Sequence, residues 1–170
     1  EGFTDKENDA PYQEEKLKSE KDGDIVWKLD MMEELGVFPH NMSNSSPVSH
    51  GDLLFLETSN GHDESHVNIP SPRAPSFLAV NKKTGKVAWE DGSPADKILH
   101  GQWASPTLAM VDGLLQAFFP GGDGWLYGFN AQTGEQLWKF DLNPKEAVWP
   151  KTKNDAIGTP VVYENKIYLA

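Results

Sequence analysis

The sequence predicts an all-β fold built from repeated four-stranded antiparallel units, and three observations predict it. An eleven-residue phrase occurs twice: Ala79-Val80-Asn81-Lys82-Lys83-Thr84-Gly85-Lys86-Val87-Ala88-Trp89 returns as Gly128-Phe129-Asn130-Ala131-Gln132-Thr133-Gly134-Glu135-Gln136-Leu137-Trp138. A second phrase, Ser46-Pro47 followed by a short β-rich run, a turn pair and a longer apolar run, recurs from Ser105-Pro106 and begins again at Thr159-Pro160. Between these phrases, apolar runs of strand length alternate with Gly, Asn and Asp turns. Turn residues and a large aromatic at fixed offsets mark a repeat architecture.

Taken in order, residues 1–24 are polar and mostly acidic, densest at Glu14-Glu15-Lys16-Leu17-Lys18-Ser19-Glu20-Lys21, and read as a surface loop or short surface helix. At 25–30 the run Ile25-Val26-Trp27-Lys28-Leu29 follows the turn pair Asp22-Gly23 and reads as a strand ending a unit. Gly23 precedes Trp27 by four, as Gly85 precedes Trp89 and Gly134 precedes Trp138. Residues 31–35, closed by Gly36, predict a single helical turn. Full units follow at about 46–90 and 105–140, and a further unit starts at 159–170.

The second full unit parses as strands near 105–111, 114–119, 124–130 and 135–140, split by Asp112-Gly113, Gly121-Gly122-Asp123 and residues 131–134. The glycine-rich 121–124 segment opens no helix, so it reads as a hairpin turn rather than a phosphate cradle. The first unit has the same strands with an insertion at 58–75, rich in Pro, Asn, Ser and His, which predicts a long loop. Each unit opens after a Pro, where a missing N–H does least harm. Its first hairpin is expected to turn at His50-Gly51, Asp112-Gly113 or Glu164-Asn165. Trp27, Trp89 and Trp138 stand 62 and 49 residues apart, the longer interval containing the insertion. A four-stranded unit at this period fits β-propeller blades.

Composition bounds the function. A formal charge of −11 and a pI near 4.8 argue against nucleic-acid partners, which need a basic face. No apolar run is long enough for a transmembrane helix, and no secretory signal stands in the sequence. The chain starts at Glu1 and stops inside an alternating run at Ala170, which points to a piece of a longer protein. With no Cys it holds neither disulfide nor thiolate metal site. A short arc of blades would leave sheet edges open, so the isolated piece is expected to associate.

Asp123-Gly124-Trp125-Leu126-Tyr127-Gly128-Phe129-Asn130 through Trp138, and the copy at Ala79 to Trp89, resemble the tryptophan-docking repeats of quinoprotein-like (PQQ-repeat) β-propellers. PQQ-dependent alcohol dehydrogenases, the outer-membrane assembly scaffold lipoprotein and large exported PQQ-like propellers carry such repeats. The resemblance implies a partial propeller over 25–170, from a ring of seven or eight blades, in a periplasmic or extracellular protein. It gives Trp27, Gly85, Trp89, Gly134 and Trp138 structural roles, each Trp packing between blades against a neighbour's turn. The dehydrogenases of this family carry a vicinal Cys pair, a Ca²⁺ held by Glu and Asn, and a catalytic Asp. No position here matches that catalytic motif well enough to name a residue, so catalytic residues are unassigned, and PQQ or Ca²⁺ is expected only in a full-length parent.

Two loci carry candidate chemistry. Asn60-Gly61-His62-Asp63-Glu64-Ser65-His66 sets imidazoles and carboxylates on a loop, making His62, Asp63, Glu64 and His66 candidate metal ligands. Asn60, Asp63 and Glu64 would alternatively suit a hard ion such as Ca²⁺. The spacing matches no standard metal motif, and a polar loop capped by its own side chains is the plainer reading. The segments before Ser46 and Ser105 each carry a His, and their convergence on one face would let His40, Asn44, His100, Gln102 and Trp103 line a ligand pocket. As plain connectors, the same residues would satisfy backbone groups.

Three functions compete. A non-catalytic scaffold binding protein, peptide or carbohydrate needs only the repeats and variable loops. A PQQ-dependent oxidoreductase would keep its catalytic residues largely outside this chain. A hydrolase or lyase would use the His-carboxylate loop.

Overall fold

The computed structural model describes residues 26–42 and 45–169. The acidic 1–24 segment and Asn44 lie outside the described residues. Strands β1 (Val48–His50), β2 (Leu53–Glu57), β3 (Phe77–Asn81) and β4 (Val87–Asp91) pair in that order as one sheet. Strands β5 (Thr107–Val111), β6 (Leu114–Pro120), β7 (Trp125–Asn130) and β8 (Gln136–Asp141) repeat the same order in a second. A two-stranded sheet joins β9 (Val161–Tyr163) to β10 (Lys166–Tyr168). Every pairing is antiparallel. The fold is all-β, in meander sheets of the propeller-blade kind.

The expected helical turn is present as α1 (Met31–Leu35). Asp30 accepts hydrogen bonds from the Met32 and Glu33 amides at its start. Left-handed Gly36 closes it at φ 68°, the usual helix stop. The strand expected at 25–30 does not form over residues 26–30. An outer strand takes its ladder bonds from the third strand of its own blade, and none of the described residues supplies that partner.

The hairpin turns explain the strand starts. Asp112-Gly113 (φ 49° and 81°) and Glu164-Asn165 (φ 46° and 57°) both sit in the left-handed region. That conformation matches the twist of a two-residue hairpin. The first hairpin turns at Gly51-Asp52 rather than His50-Gly51, because His50 pairs with Leu53 and Gly51 supplies the positive φ, 56°. A glycine at the first central position suits such a turn. In the second sheet, Ala109 and Gln116 hold the register places of His50 and Leu53, so that hairpin is two residue pairs longer. The Gly121–Gly124 segment joins β6 to β7 as a turn. Its Asp123 accepts from the Trp125 amide (3.3 Å) and the Tyr127 hydroxyl (2.5 Å).

The repeated phrase builds one local device twice. Asn81 Oδ1 accepts from the Lys83 and Thr84 amides, and Asn130 Oδ1 from those of Gln132 and Thr133. These bonds close each β3–β4 or β7–β8 turn. Gly85 (φ 71°) and Gly134 (φ 75°) take the left-handed corner, which glycine adopts without steric cost. Ala79 pairs with Trp89 and Gly128 with Trp138, and the register shifts just after each small residue. The Trp27 indole donates to Lys82 O (2.7 Å) with its ring on Gly85. One sheet later, Trp89 donates to Ala131 O (2.9 Å) with its ring on Gly134. Trp138 is half-buried and donates instead to Gln116 Oε1 (2.9 Å).

The core lies between the two four-stranded sheets. Phe55, Phe77 and Trp89 from the first meet Phe119, Tyr127 and Phe129 from the second, with Phe77 and Phe119 ring centroids 4.9 Å apart. Inner strand β3 is covered on both faces, so Phe77-Leu78-Ala79-Val80 reads as a continuous apolar run instead of an alternating one.

Candidate functional site

The inter-blade connectors and the insertion are built together at the residue level. Residues 38–40 run antiparallel to 59–62: His40 N donates to Ser59 O (3.0 Å), Gly61 N to Phe38 O (3.0 Å), and Pro39 bridges Asn60. The second connector joins them where His62 N donates to His100 O (2.9 Å). A Cβ on Gly61 would lie 2.6 Å from His100 O and 2.9 Å from His40 Cβ. Only glycine allows so close an approach.

This lacing merges the two loci that the sequence leaves apart. His40, His66 and His100 pack around one another at tilted or edge-on angles, with ring centroids 4.4 to 4.8 Å apart. Trp103 closes a further side, 5.1 Å from His100 and 5.8 Å from His40. His40 is buried and His66 exposed, so the cluster runs from the interior to the surface.

The His40 Nδ1 lies 2.8 Å from the His62 carbonyl oxygen. A carbonyl only accepts, so Nδ1 carries a proton, and in the neutral ring Nε2 is then the nitrogen with the lone pair. That Nε2 is buried with no hydrogen-bond partner. His66 Nδ1 and His100 Nε2 lie 2.9 Å apart, one donating to the other. The pKa of His100 is lowered by desolvation and then by the neighbouring His40 and His66. That of His62 is lowered by desolvation and by His100 and His40, with Asp63 partly opposing.

The remaining sequence candidates divide by role. Gln102 is fully buried and donates to Asn60 O (3.1 Å) and Ser76 Oγ (2.9 Å), tying the second connector to the two ends of the insertion. Asn60 accepts from Phe38 N (3.0 Å) and donates to Ser71 O (2.9 Å), so its amide is engaged within the protein. Asp63 caps its own loop: bonds from Ser65 and Asn68 hold its carboxyl down at about 2. Glu64 is exposed.

Sequence reasoning missed Glu57. It ends β2 opposite Phe77, the register place of Pro120 in the second sheet, and is fully buried with neither carboxylate oxygen hydrogen-bonded in good geometry. Burial pushes its carboxyl well above the usual carboxylate range, with the backbone of Ala104 acting in the opposite direction. A charged residue standing where its sister repeat has Pro was the available signal.

The family model described as outer membrane protein assembly factor BamB, of the PQQ repeat type, matches residues 17–170. A quinoprotein ethanol dehydrogenase of Pseudomonas putida is 34% identical over 98 residues, 55% of this chain and 14% of that one. BamB from Moraxella catarrhalis superposes with a TM-score of 0.52 at 18% identity, over 73% of this chain and 33% of that one. The quinohemoprotein alcohol dehydrogenase ADHIIG of Pseudomonas putida HK5 superposes at 0.52 and 15% identity, over 77% of this chain and 17% of that one. The structural likenesses show the fold, and this chain spans a third or less of each of these relatives.

Proposed function

From the premise that this chain belongs to the PQQ-repeat family of outer membrane protein assembly factor BamB, we propose that it is an arc of a non-catalytic, protein-binding propeller scaffold in a larger exported protein. The observation that carries the reading is the lacing of the connectors. Backbone bonds and the buried amides of Asn60 and Gln102 join three separate chain segments. A preorganised loop surface loses little entropy on binding, which favours recognition. Apolar Met42 and Val67, each 75% exposed, stand on these loops. The family's description as an assembly factor supports a protein partner and an exported location.

A PQQ-dependent oxidoreductase is the second reading, favoured by the 34% identity to quinoprotein ethanol dehydrogenase. One experiment separates them. The full-length protein is given PQQ and Ca²⁺ and assayed for alcohol-dependent dye reduction, and separately passed over immobilised peptides from unfolded outer-membrane proteins. Saturable peptide binding without dye reduction is expected. Quinone uptake with turnover, or no peptide binding, overturns the scaffold reading.

A further inference from the structure

We propose that His40, His66 and His100 form a three-imidazole site for a divalent transition-metal ion of the zinc type. The proposal goes beyond the scaffold reading and stands without it. Among the described residues, these three each offer a ring nitrogen, and the offered atoms all lie within 4.8 Å of one another.

His40 supplies the fixed point. Its Nδ1–H is spent on the His62 carbonyl, 2.8 Å away. Metal-bound imidazoles usually make such an outer-sphere bond, since it sets the tautomer and orients the ring. What remains is a lone pair on Nε2, buried in a residue 1% exposed and without a partner. Leaving a buried acceptor unpaired is costly, and a metal ion would satisfy it.

His66 and His100 supply the adjustable part. Their facing nitrogens are 2.9 Å apart. Two ligands on one tetrahedral zinc stand somewhat further from each other, because each bond to the metal is about 2.0–2.1 Å long. Opening that pair slightly and drawing both rings toward His40 would form the site. His66, exposed on its loop, has the freedom to do so. The proton between the two would move to the outer nitrogen of its own ring, so that both facing nitrogens offer lone pairs.

The donor set selects the ion. Imidazole suits Zn²⁺, Co²⁺, Ni²⁺ and Cu²⁺, whereas Ca²⁺ and Mg²⁺ need oxygen ligands, and the nearby Asp63 carboxylate is engaged by Ser65 and Asn68. Three protein ligands leave a fourth position for water or a partner's side chain. Because His66 lies at the surface, that position would open toward solvent.

The test titrates the full-length protein with Co²⁺, reading its visible ligand-field band, and competes the band away with Zn²⁺. One ion per chain is expected to bind saturably. The doubly substituted His66→Ala/His100→Ala protein should bind at least tenfold more weakly with unchanged circular dichroism, while His50→Ala on strand β1 should bind as the parent does. The absence of saturable binding in the parent overturns the proposal, as does equal binding by the double variant or equal loss in His50→Ala.

Discussion

Trp89 of the first sheet lies directly on Gly134 of the second: a Cβ at Gly134 would stand 2.6 Å from the Trp89 Cγ. The glycine is thus required twice, for its φ of 75° and for the space that the indole fills. Gly113 separates the two demands, since its φ is 81° but nothing lies within 4 Å of the place its Cβ would occupy. Gly113→Ala is expected to cost about 1 kcal/mol, the left-handed penalty alone. Gly134→Ala should cost roughly 1–3 kcal/mol more for the overpacked contact. Urea denaturation of the full-length variants measures both, and equal costs would mean that the indole moves aside freely.

The indole contributes area and one directed bond, and these are separable. Trp89 is only 8% exposed. A side chain of this kind buries on the order of 200 Å², worth several kcal/mol at about 25 cal/mol per Å². Its Nε1 also donates to Ala131 O at 2.9 Å. Trp89→Phe keeps much of the area but leaves that carbonyl unpaired, so a loss of roughly 1–3 kcal/mol is expected. Trp89→Ala should lose about 3–5 kcal/mol. Similar unfolding midpoints for the two variants would show that ring area matters little.

These contacts were legible because they are local and repeated. Asn-x-x-Thr-Gly closes its own turn through Asn81 or Asn130, and the Trp four residues later falls opposite a small residue in the same sheet. The strands of the second sheet could be placed to within about two residues on that basis. The imidazole cluster was not legible as one site. His66 and His100 are 34 residues apart, and His40 joins them only because the Pro39–Asn60 bridge folds the first connector over the insertion. Nothing periodic marks such a bridge. Gln102 shows the same limit: its residue type fits a ligand pocket, but its burial makes it a tie between the second connector and the insertion.

Glu57 makes stability depend on pH with a sign opposite to that of most carboxylates. Its folded-state pKa is raised well above the ordinary 4.5, chiefly by desolvation. Below the ordinary value the group is protonated in both states, and its stabilising contribution is fully present. Between the ordinary value and the raised one, the unfolded chain ionises while the folded chain keeps its proton, so stability falls as pH rises through that window. Asp123, also raised by burial, acts in the same direction and will leave a residual slope. Glu57→Gln removes the titration while keeping the shape. The parent's denaturation midpoint should therefore drop more steeply than the variant's as pH rises above the ordinary carboxylate value, narrowing or reversing any advantage the parent holds in acid. Parallel midpoints across that range would mean that Glu57 ionises in the fold as readily as in the unfolded chain, and that its buried oxygens find a donor or a cation on ionisation.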